Sequence, residues 1–163
     1  ELYYNRKSAD IARISWKGNH WNMISLDSHS PAETEAFAAD LAHRLKSGDV
    51  LAFRGGLGAG KTAFVRGLAR GLGWEGEVSS PTFALVHEYA ASPPLYHFDM
   101  YRIHTFDDLY STGFFDYLDA GGILAVEWSE NIADALPPET ITVTIEPTGD
   151  ESRKITVEGD GRF

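Results

Sequence analysis

The feature that most restricts the fold of this chain is a glycine-rich loop between an apolar run and a helical pattern. From Gly55 to Thr62 the loop reads Gly-Gly-Leu-Gly-Ala-Gly-Lys-Thr, which satisfies the pattern G-x-x-x-x-G-K-[ST] of a phosphate-binding loop, or P-loop. The apolar run at 50–53 is typical of a buried strand, and apolar residues recur at helical spacing from Val65 to Leu72. Strand, loop and helix in this order are the context that the motif requires.

The residue types of the loop predict what it binds. Glycines let the backbone curl so that successive N–H groups face one anion, and the start of the next helix adds the positive end of its dipole. Lys61 is predicted to contact the β- and γ-phosphates, and the Thr62 hydroxyl to be a ligand of Mg²⁺. The predicted cofactors are therefore ATP and Mg²⁺, and the predicted phosphate-binding residues are Leu57, Gly58, Ala59, Gly60, Lys61 and Thr62.

Two carboxylates follow apolar runs that are typical of strands. Asp99 follows residues 95–98 and Glu127 follows residues 123–126, so both are expected at the carboxyl edge of the sheet, where ligands bind in open α/β folds. A P-loop enzyme needs such carboxylates for the metal or the attacking water. Asp99 and Glu127 are thus predicted as catalytic residues with Lys61, and as metal-site residues with Thr62. His97 is interpreted as a hydrogen-bonded core histidine rather than a metal ligand.

Composition excludes several classes of function. The 163 residues include no cysteine, which removes thiolate metal sites and cysteine nucleophiles, and the net charge is −10. From Met23 onward there are 10 basic and 22 acidic residues, a net charge of −12, which opposes autonomous binding to DNA or RNA. The apolar runs are much shorter than the roughly 18 residues of a membrane span. We expect a soluble protein with no membrane or DNA partner.

The alternation of helical and strand patterns predicts the fold class and the domain organisation. Residues 23–163 are predicted to form one α/β P-loop NTPase domain, with a mixed, mostly parallel sheet flanked by helices and a C-terminal β-hairpin around 147–150. A strand is also predicted over 82–89. Residues 1–22 lack the apolar core of a signal peptide and a sustained periodicity. They are interpreted as a poorly ordered N-terminal extension or leader, with a functional basic arm as the alternative.

Four motifs in order resemble the bacterial TsaE family: 57–62, Ser80-Pro-Thr-Phe with Leu-Val at 85–86, His-Phe-Asp-Met-Tyr-Arg at 97–102, and Glu127-Trp. The resemblance extends from residue 23 to about 136. It implies a small cytoplasmic P-loop ATPase that works with TsaB and TsaD in the threonylcarbamoyl modification of the adenosine next to the tRNA anticodon. Such an ATPase is expected to be slow alone, to be stimulated by its partners, and to contact tRNA only through the complex.

The resemblance also assigns roles to individual residues. Lys61 and Thr62 match the family's phosphate and magnesium residues, and Asp99 and Glu127 match its metal-site carboxylates. Three further residues match a segment that behaves as a nucleotide-sensing switch: Ser80, Pro81 and Thr82. The family loop usually carries Asp where this chain has Gly56, which affects a possible side-chain contact rather than the phosphate cradle.

Two other functions are weighed against this interpretation. A P-loop small-molecule kinase would use the same loop, but it also needs an acceptor pocket and usually a basic lid, for which only Arg66, Arg70 and Arg102 are candidates. The second alternative, which is close to the family interpretation, is an assembly factor that uses ATP mainly to choose its partners and turns over slowly. Guanine specificity is disfavoured because Asp119-x-x-Gly122 has no accompanying Asn-Lys-x-Asp sequence. Phosphate release measured with and without the partner proteins distinguishes a switch from a kinase.

Overall fold

A computed structural model describes residues 11–15 and 21–163 and shows an eight-stranded sheet with helices on both faces. The strands are β1 (Ile11–Ser15), β2 (Trp21–Ser28), β3 (Val50–Arg54), β4 (Val86–Tyr89), β5 (Leu95–Asp99), β6 (Ile123–Glu127), β7 (Ile141–Pro147) and β8 (Arg153–Asp160). The helices are α1 (Pro31–Ala42), α2 (Lys61–Gly71), α3 (Phe106–Ser111), α4 (Phe114–Leu118) and a 3₁₀ helix (Ser129–Ala135). No described helix has the length and apolarity to cross a membrane.

The sheet has the order β1-β2-β8-β7-β3-β6-β5-β4. The predicted mixed sheet and C-terminal hairpin are confirmed, the hairpin being β7 and β8. The expectation that parallel pairs predominate is wrong, because only β3–β6, β3–β7 and β5–β6 are parallel among the seven described pairs. Strands β8, β2 and β1 extend one side of the parallel centre in antiparallel fashion, and β4 does the same on the other side.

The sheet extends toward the N-terminus beyond residue 23. Residues 11–15 of β1 pair with residues 22–26 of β2, and β2 pairs along its whole length with β8. The domain boundary expected after residue 22 therefore falls inside β2. Residues 1–10 and 16–20, which belong to the same predicted extension, lie outside the described part of the chain.

Alternating side chains divide the core into two layers. Along β3, Leu51 and Phe53 pack in a cluster with α1 and α2, whereas Val50 packs in a second cluster with α3, α4 and the 3₁₀ helix. This alternation follows from the two-residue period of a strand. Because Leu95 and Ile123 belong to the first cluster, every second residue along their strands faces α1 and α2.

Helices α1 and α2 approach each other closely at two glycines. A Cβ atom on Gly67 would lie 2.3 Å from the carbonyl oxygen of Glu35, and one on Gly71 would lie 2.4 Å from that of Ala39. Side chains at these two positions would clash with the α1 backbone. Helix α1 itself is capped at its start by Ser30, whose side chain accepts a hydrogen bond from the Glu33 N–H (3.2 Å).

An ion cluster formed by Asp49, Asp160 and Arg162 lies at the end of the sheet where β3 begins. Arg162 donates from Nη1 and Nη2 to the two carboxylate oxygens of Asp49 (2.8 and 3.0 Å) and from Nε to Asp160 (2.8 Å). Since β8 is antiparallel to β7, and β7 is parallel to β3, β8 ends at the same end of the sheet at which β3 begins. The start of β8 lies at the opposite end of the sheet.

Candidate functional site

A cavity of about 520 Å³ opens at the ends of β3, β5 and β6. Its walls bring together every predicted site residue except Pro81, which is buried nearby. Tyr101 and Trp128 line it as well, although neither was predicted as a site residue. The lining residues are Leu57, Gly58, Ala59, Gly60, Lys61, Thr62, Ser80, Thr82, Asp99, Tyr101, Glu127 and Trp128.

The glycine-rich loop spans residues 55–60, between β3 and α2. A Cβ atom on Gly55 would lie 2.7 Å from the carbonyl oxygen of Ile145, so the loop leaves β3 in close contact with β7. Gly60 precedes α2 with φ +107°, a conformation that other residues rarely adopt. At Gly56, where the family usually has Asp, a Cβ atom would meet no atom within 4 Å. The family's side chain would therefore point into open space in this loop.

Lys61 is a buried cation at the first position of α2. Only 7% of the residue is exposed, and its Nζ donates a hydrogen bond to the carbonyl oxygen of Gly55 (2.9 Å). The same atom lies 4.3 Å from the centroid of the Trp128 ring, in a cation–π contact. Within the described residues no carboxylate forms an ion pair with Lys61. Its charge is thus held by neutral partners and is available to an anion in the cavity.

Asp99 and Glu127 stand side by side at the ends of two parallel strands. They are register partners of β5 and β6, and both are buried, with 4% and 3% exposure. One Asp99 oxygen accepts a hydrogen bond from the Tyr101 N–H (2.9 Å). Glu127 Oε1 has no hydrogen-bond partner in the described part of the chain. A buried carboxylate oxygen without a partner is energetically costly, so this oxygen is suited to a ligand.

His97 packs beneath the two carboxylates. It is fully buried, and its Nε2 lies 3.3 Å from Glu127 Oε1, but without the alignment of a hydrogen bond. Neither ring nitrogen has a hydrogen-bond partner among the described residues, so the expected hydrogen-bonded core histidine is wrong in its hydrogen bonding and correct in its burial. Burial, and to a smaller extent the charge of Glu127, raises the pKa of the neighbouring Tyr89 hydroxyl.

The segment 80–85 forms the wall of the cavity that faces the glycine-rich loop. The Ser80 and Thr82 hydroxyls lie 2.9 Å apart, and a turn is closed by the hydrogen bond from the Leu85 N–H to the Pro81 carbonyl (2.9 Å). The strand expected over 82–89 is therefore wrong at its start, because β4 begins only at Val86. Leu85 has φ +68°, which is strained for a branched residue.

This segment is connected directly to the carboxylates. The Asp99 N–H donates to the carbonyl oxygen of Leu85 (3.0 Å). Beside the turn, the Phe83 side chain is 86% exposed and the Arg102 guanidinium lies 5.1 Å from its ring centroid. A displacement of the segment would therefore be transmitted to the backbone of Asp99.

Sequence reasoning missed three residues that shape the site. Trp128 has φ +55°, and its ring lies between Lys61 and Tyr101, whose ring centroid is 4.9 Å away. The positions of Tyr101 and Trp128, just after Asp99 and Glu127, were the available signal. Arg153 donates to the loop carbonyl of Ala59 (2.8 Å) from 94 residues along the chain. Nothing in the sequence pattern pointed to that contact.

The oxygen donors of the cavity suit a hard cation. Thr62 offers a hydroxyl and Asp99 and Glu127 offer carboxylates, which are the ligand types that Mg²⁺ prefers. The described residues contain no group of three or more His, Cys, Asp or Glu side chains arranged to hold a metal. The residues present therefore fit Mg²⁺ as partial ligands that need phosphate and water oxygens to complete the coordination.

Comparisons with known proteins agree with this geometry. The model of the family described as "Threonylcarbamoyl adenosine biosynthesis protein TsaE" matches residues 28–155. The chain is 38% identical over 130 residues to the tRNA threonylcarbamoyladenosine biosynthesis protein TsaE of Treponema pallidum, covering 80% of this chain and 96% of the relative. For the protein of the same name from Bacillus subtilis the values are 42% over 133 residues, 81% and 83%.

A solved structure is similar along most of its length. The crystal structure of YdiB from Bacillus subtilis superposes with a TM-score of 0.73 and 36% identity, and the match covers 88% of this chain and 90% of that one. This likeness confirms the predicted α/β fold. Together with the family match over residues 28–155, it shows that the chain belongs to the TsaE family, as its four motifs predicted.

Proposed function

We propose that this protein is a Mg²⁺-dependent ATPase that acts as a nucleotide-driven switch on a TsaB–TsaD complex in the threonylcarbamoyl modification of tRNA. One observation carries the proposal. Lys61 and Thr62, at the start of a helix, share a single cavity with two buried, adjacent carboxylates. A cation, a hydroxyl and two carboxylates around an anion-binding loop are the groups that hydrolysis of a nucleoside triphosphate requires.

Phosphate binding is supported by the loop and by the state of Lys61. The loop backbone and the positive end of α2 offer N–H groups to an anion, and Lys61 is held only by a carbonyl oxygen and an aromatic ring. A phosphate oxygen is a stronger partner for an ammonium group than either of these. The Lys61 ammonium group is therefore expected to exchange these two partners for a phosphate oxygen when ATP binds.

The metal and the attacking water are assigned to the other polar residues. When bound, Mg²⁺ neutralises charge that develops on the phosphates. Thr62 and one of Asp99 and Glu127 would hold it, and the other carboxylate would orient the water and accept its proton. Glu127 suits this second role because its Oε1 is buried and without a hydrogen-bond partner in the described residues.

The switch is assigned to Ser80, Pro81 and Thr82. Ser80 and Thr82 line the cavity, and the turn that follows them ends at the strained Leu85, whose carbonyl is bonded to the Asp99 N–H. A segment that faces the γ-phosphate and contains backbone strain suits two alternative arrangements. A difference of about 1–3 kcal/mol between the ATP and ADP states is ordinary for such coupling.

The role in tRNA modification rests on family membership and on charge. The relatives named above are tRNA threonylcarbamoyladenosine biosynthesis proteins. The net charge of −12 from Met23 onward opposes direct binding to a phosphate backbone. Contact with tRNA is therefore made through the partner complex, in the cytoplasm.

The test is phosphate release from Mg²⁺-ATP by the isolated protein and by its mixture with TsaB and TsaD. We expect slow turnover alone, acceleration by the partners, and different dissociation constants for TsaB–TsaD when the protein carries ADP or a non-hydrolysable ATP analogue. Equal constants in the two states would refute the switch. Turnover that depends on an added small acceptor instead of on the proteins would favour the kinase.

The pathway assignment has its own experiment. The protein is combined with TsaB, TsaD, threonylcarbamoyl-AMP and unmodified tRNA, and modified adenosine is measured with and without ATP. Multiple rounds of modification should require this protein and ATP together. Modification that is equally fast without the protein would remove it from the reaction.

A further inference from the structure

We propose that Arg153 is a positioning residue that orients the glycine-rich loop for phosphate binding. Arg153 is the first residue of β8 and is not among the residues that line the cavity. The inference rests on the nucleotide-binding part of the proposed function. It adds a residue from the C-terminal hairpin to a site otherwise built from residues 57–128.

The guanidinium group forms a fork on two successive loop carbonyls. Its Nε donates to the carbonyl oxygen of Ala59 (2.8 Å) and its Nη2 to that of Gly58 (3.2 Å). Hydrogen bonds from a charged donor are stronger than those between neutral groups. The loop at these two residues is therefore held by contacts from outside its own segment.

The hairpin turn fixes the guanidinium itself. Its remaining Nη1 donates to three carbonyl oxygens of that turn, those of Gly149, Asp150 and Ser152 (3.1, 3.2 and 2.8 Å). Arginine thus connects the turn and the loop with a planar group whose donors point in fixed directions. A lysine at this position would supply the charge without the fork.

The geometry of the peptide bond lets the contact between Arg153 and the Ala59 carbonyl determine the direction of the Gly60 N–H. In a trans peptide the C=O and the N–H of the same unit point in opposite directions. When Arg153 holds the Ala59 carbonyl, the Gly60 N–H on that unit is directed away from Arg153, toward the side where Gly60 and Lys61 line the cavity. Rotation of this peptide would instead present a carbonyl oxygen to the phosphates.

The charge of Arg153 acts in the same direction. Hydrogen-bonded dipoles polarise one another, so a cation on the carbonyl strengthens the N–H of that peptide as a donor. In the described residues Arg153 donates hydrogen bonds to carbonyl oxygens, and no carboxylate there forms an ion pair with it. Its positive charge is therefore not neutralised by a carboxylate of the described residues.

The test compares ADP binding by the wild-type protein and by Arg153→Ala, using titration calorimetry. We expect Arg153→Ala to raise the dissociation constant for ADP by about 10-fold or more, the usual consequence of losing charged hydrogen bonds. In steady-state turnover the KM for ATP should rise while kcat changes by less than about twofold, because the cradle contacts the phosphates equally before and during reaction. A loss of folded protein would lower kcat instead.

Lys154→Ala is the matched control. It removes the same charge from the adjacent position of β8, where the side chain is exposed. ADP affinity close to wild type is expected for this control. If Lys154→Ala weakens ADP binding as much as Arg153→Ala, the effect is general electrostatics and the positioning role is overturned.

Chemical rescue separates positioning from stability. Millimolar methylguanidinium should restore part of the ADP affinity of Arg153→Ala and leave that of Lys61→Ala unchanged. Arg153→Lys should fold and bind ADP at least about threefold more weakly than wild type, which keeps the test decisive if Arg153→Ala does not fold. Wild-type affinity in Arg153→Lys would overturn the proposal, whereas a wild-type protein that does not bind ADP would overturn the proposed function instead.

Discussion

The charged groups at the two ends of β3 differ in whether they have partners within the protein. At the amino end, Arg162 contacts both oxygens of Asp49 and also Asp160, and all these contacts are 2.8–3.0 Å long. At the carboxyl end, Lys61 is held by a carbonyl oxygen and an aromatic ring, and Glu127 Oε1 lacks a hydrogen-bond partner in the described part of the chain. The first group is complete within the protein and the second is not.

This difference distinguishes structural from functional charge. Native proteins satisfy nearly all buried polar groups, because an unpartnered group costs free energy. In the ion cluster, hydrogen bonds from Arg162 lower the pKa of Asp160, and those to Asp49 and Asp160 raise the pKa of Arg162. An unsatisfied carboxylate inside a cavity has no comparable structural use. We therefore expect substitutions at one end of β3 to change stability and those at the other to change function.

The largest effect is expected for Lys61→Ala. Phosphate release should fall by about 10³-fold or more, since the variant loses the cation that stabilises the negative charge developing on the phosphates during the reaction. The midpoint of chemical unfolding should change little, because Lys61 has no ion-pair partner in the described residues. Lys46→Ala, an exposed lysine near the ion cluster, is the control and should keep normal turnover. Comparable losses in the two variants would refute the role of Lys61.

The carboxylates come next. Asp99→Asn and Glu127→Gln should each slow phosphate release by about 10²-fold, the scale for losing a positioned catalytic group. Neither should destabilise the fold, because each replacement keeps the shape of the side chain, and no Lys or Arg of the described residues forms an ion pair with either carboxylate. Titration calorimetry in Mg²⁺ and in EDTA distinguishes their roles: a metal ligand loses Mg²⁺-dependent affinity, and a water-positioning residue retains it. Unchanged turnover in either variant would remove that residue from the site.

A reversed pattern is expected at the ion cluster. Arg162→Ala should lower the free energy of unfolding by about 2 kcal/mol, because it leaves the buried Asp49 carboxylate unpaired. ADP affinity should stay within about twofold of wild type. Urea unfolding and calorimetry measure the two quantities. A large loss of ADP affinity with normal stability would contradict the division between the two ends.

The smallest effect concerns pH. The pKa of Asp160 is lowered in the folded protein by the Arg162 hydrogen bond, so its ion pair stabilises the fold above the unfolded-state pKa of about 3.9 and loses this effect as pH falls through the lower folded value. Wild type should therefore be more stable than Asp160→Asn at pH 7, and the difference should shrink as the pH falls below about 3.9. Thermal unfolding across this range measures it. A difference that grows in acid would contradict the assignment.

The sequence was informative where function depends on neighbouring residues. The residue types of the loop at 55–62 are enough to predict that it binds phosphate. The apolar runs before Asp99 and Glu127 are enough to predict that both carboxylates lie at strand ends. Because parallel strands align these ends, one local pattern in each strand sufficed to bring the two residues into one cavity.

The contacts that the sequence did not predict are formed between distant segments. Arg153 and Ala59 are 94 residues apart, and His97 meets Glu127 only because β5 and β6 are adjacent. The pairing of β1 with β2 was also missed, since the sequence at 11–15 shows no regular alternation of apolar and polar residues. The conformational propensity of a segment does not show which distant segment it will contact.

The contact between α1 and α2 limits how this molecule can respond to nucleotide. Gly67 and Gly71 bring the two helix backbones together so closely that even a methyl group would not fit, and tightly packed interfaces do not deform continuously. Lys61 and Thr62 begin α2, so a piston-like movement of this helix along α1 would break that packing. We therefore expect the loss of the γ-phosphate to change the conformation of the turn that ends at Leu85 and to leave the position of α2 unchanged.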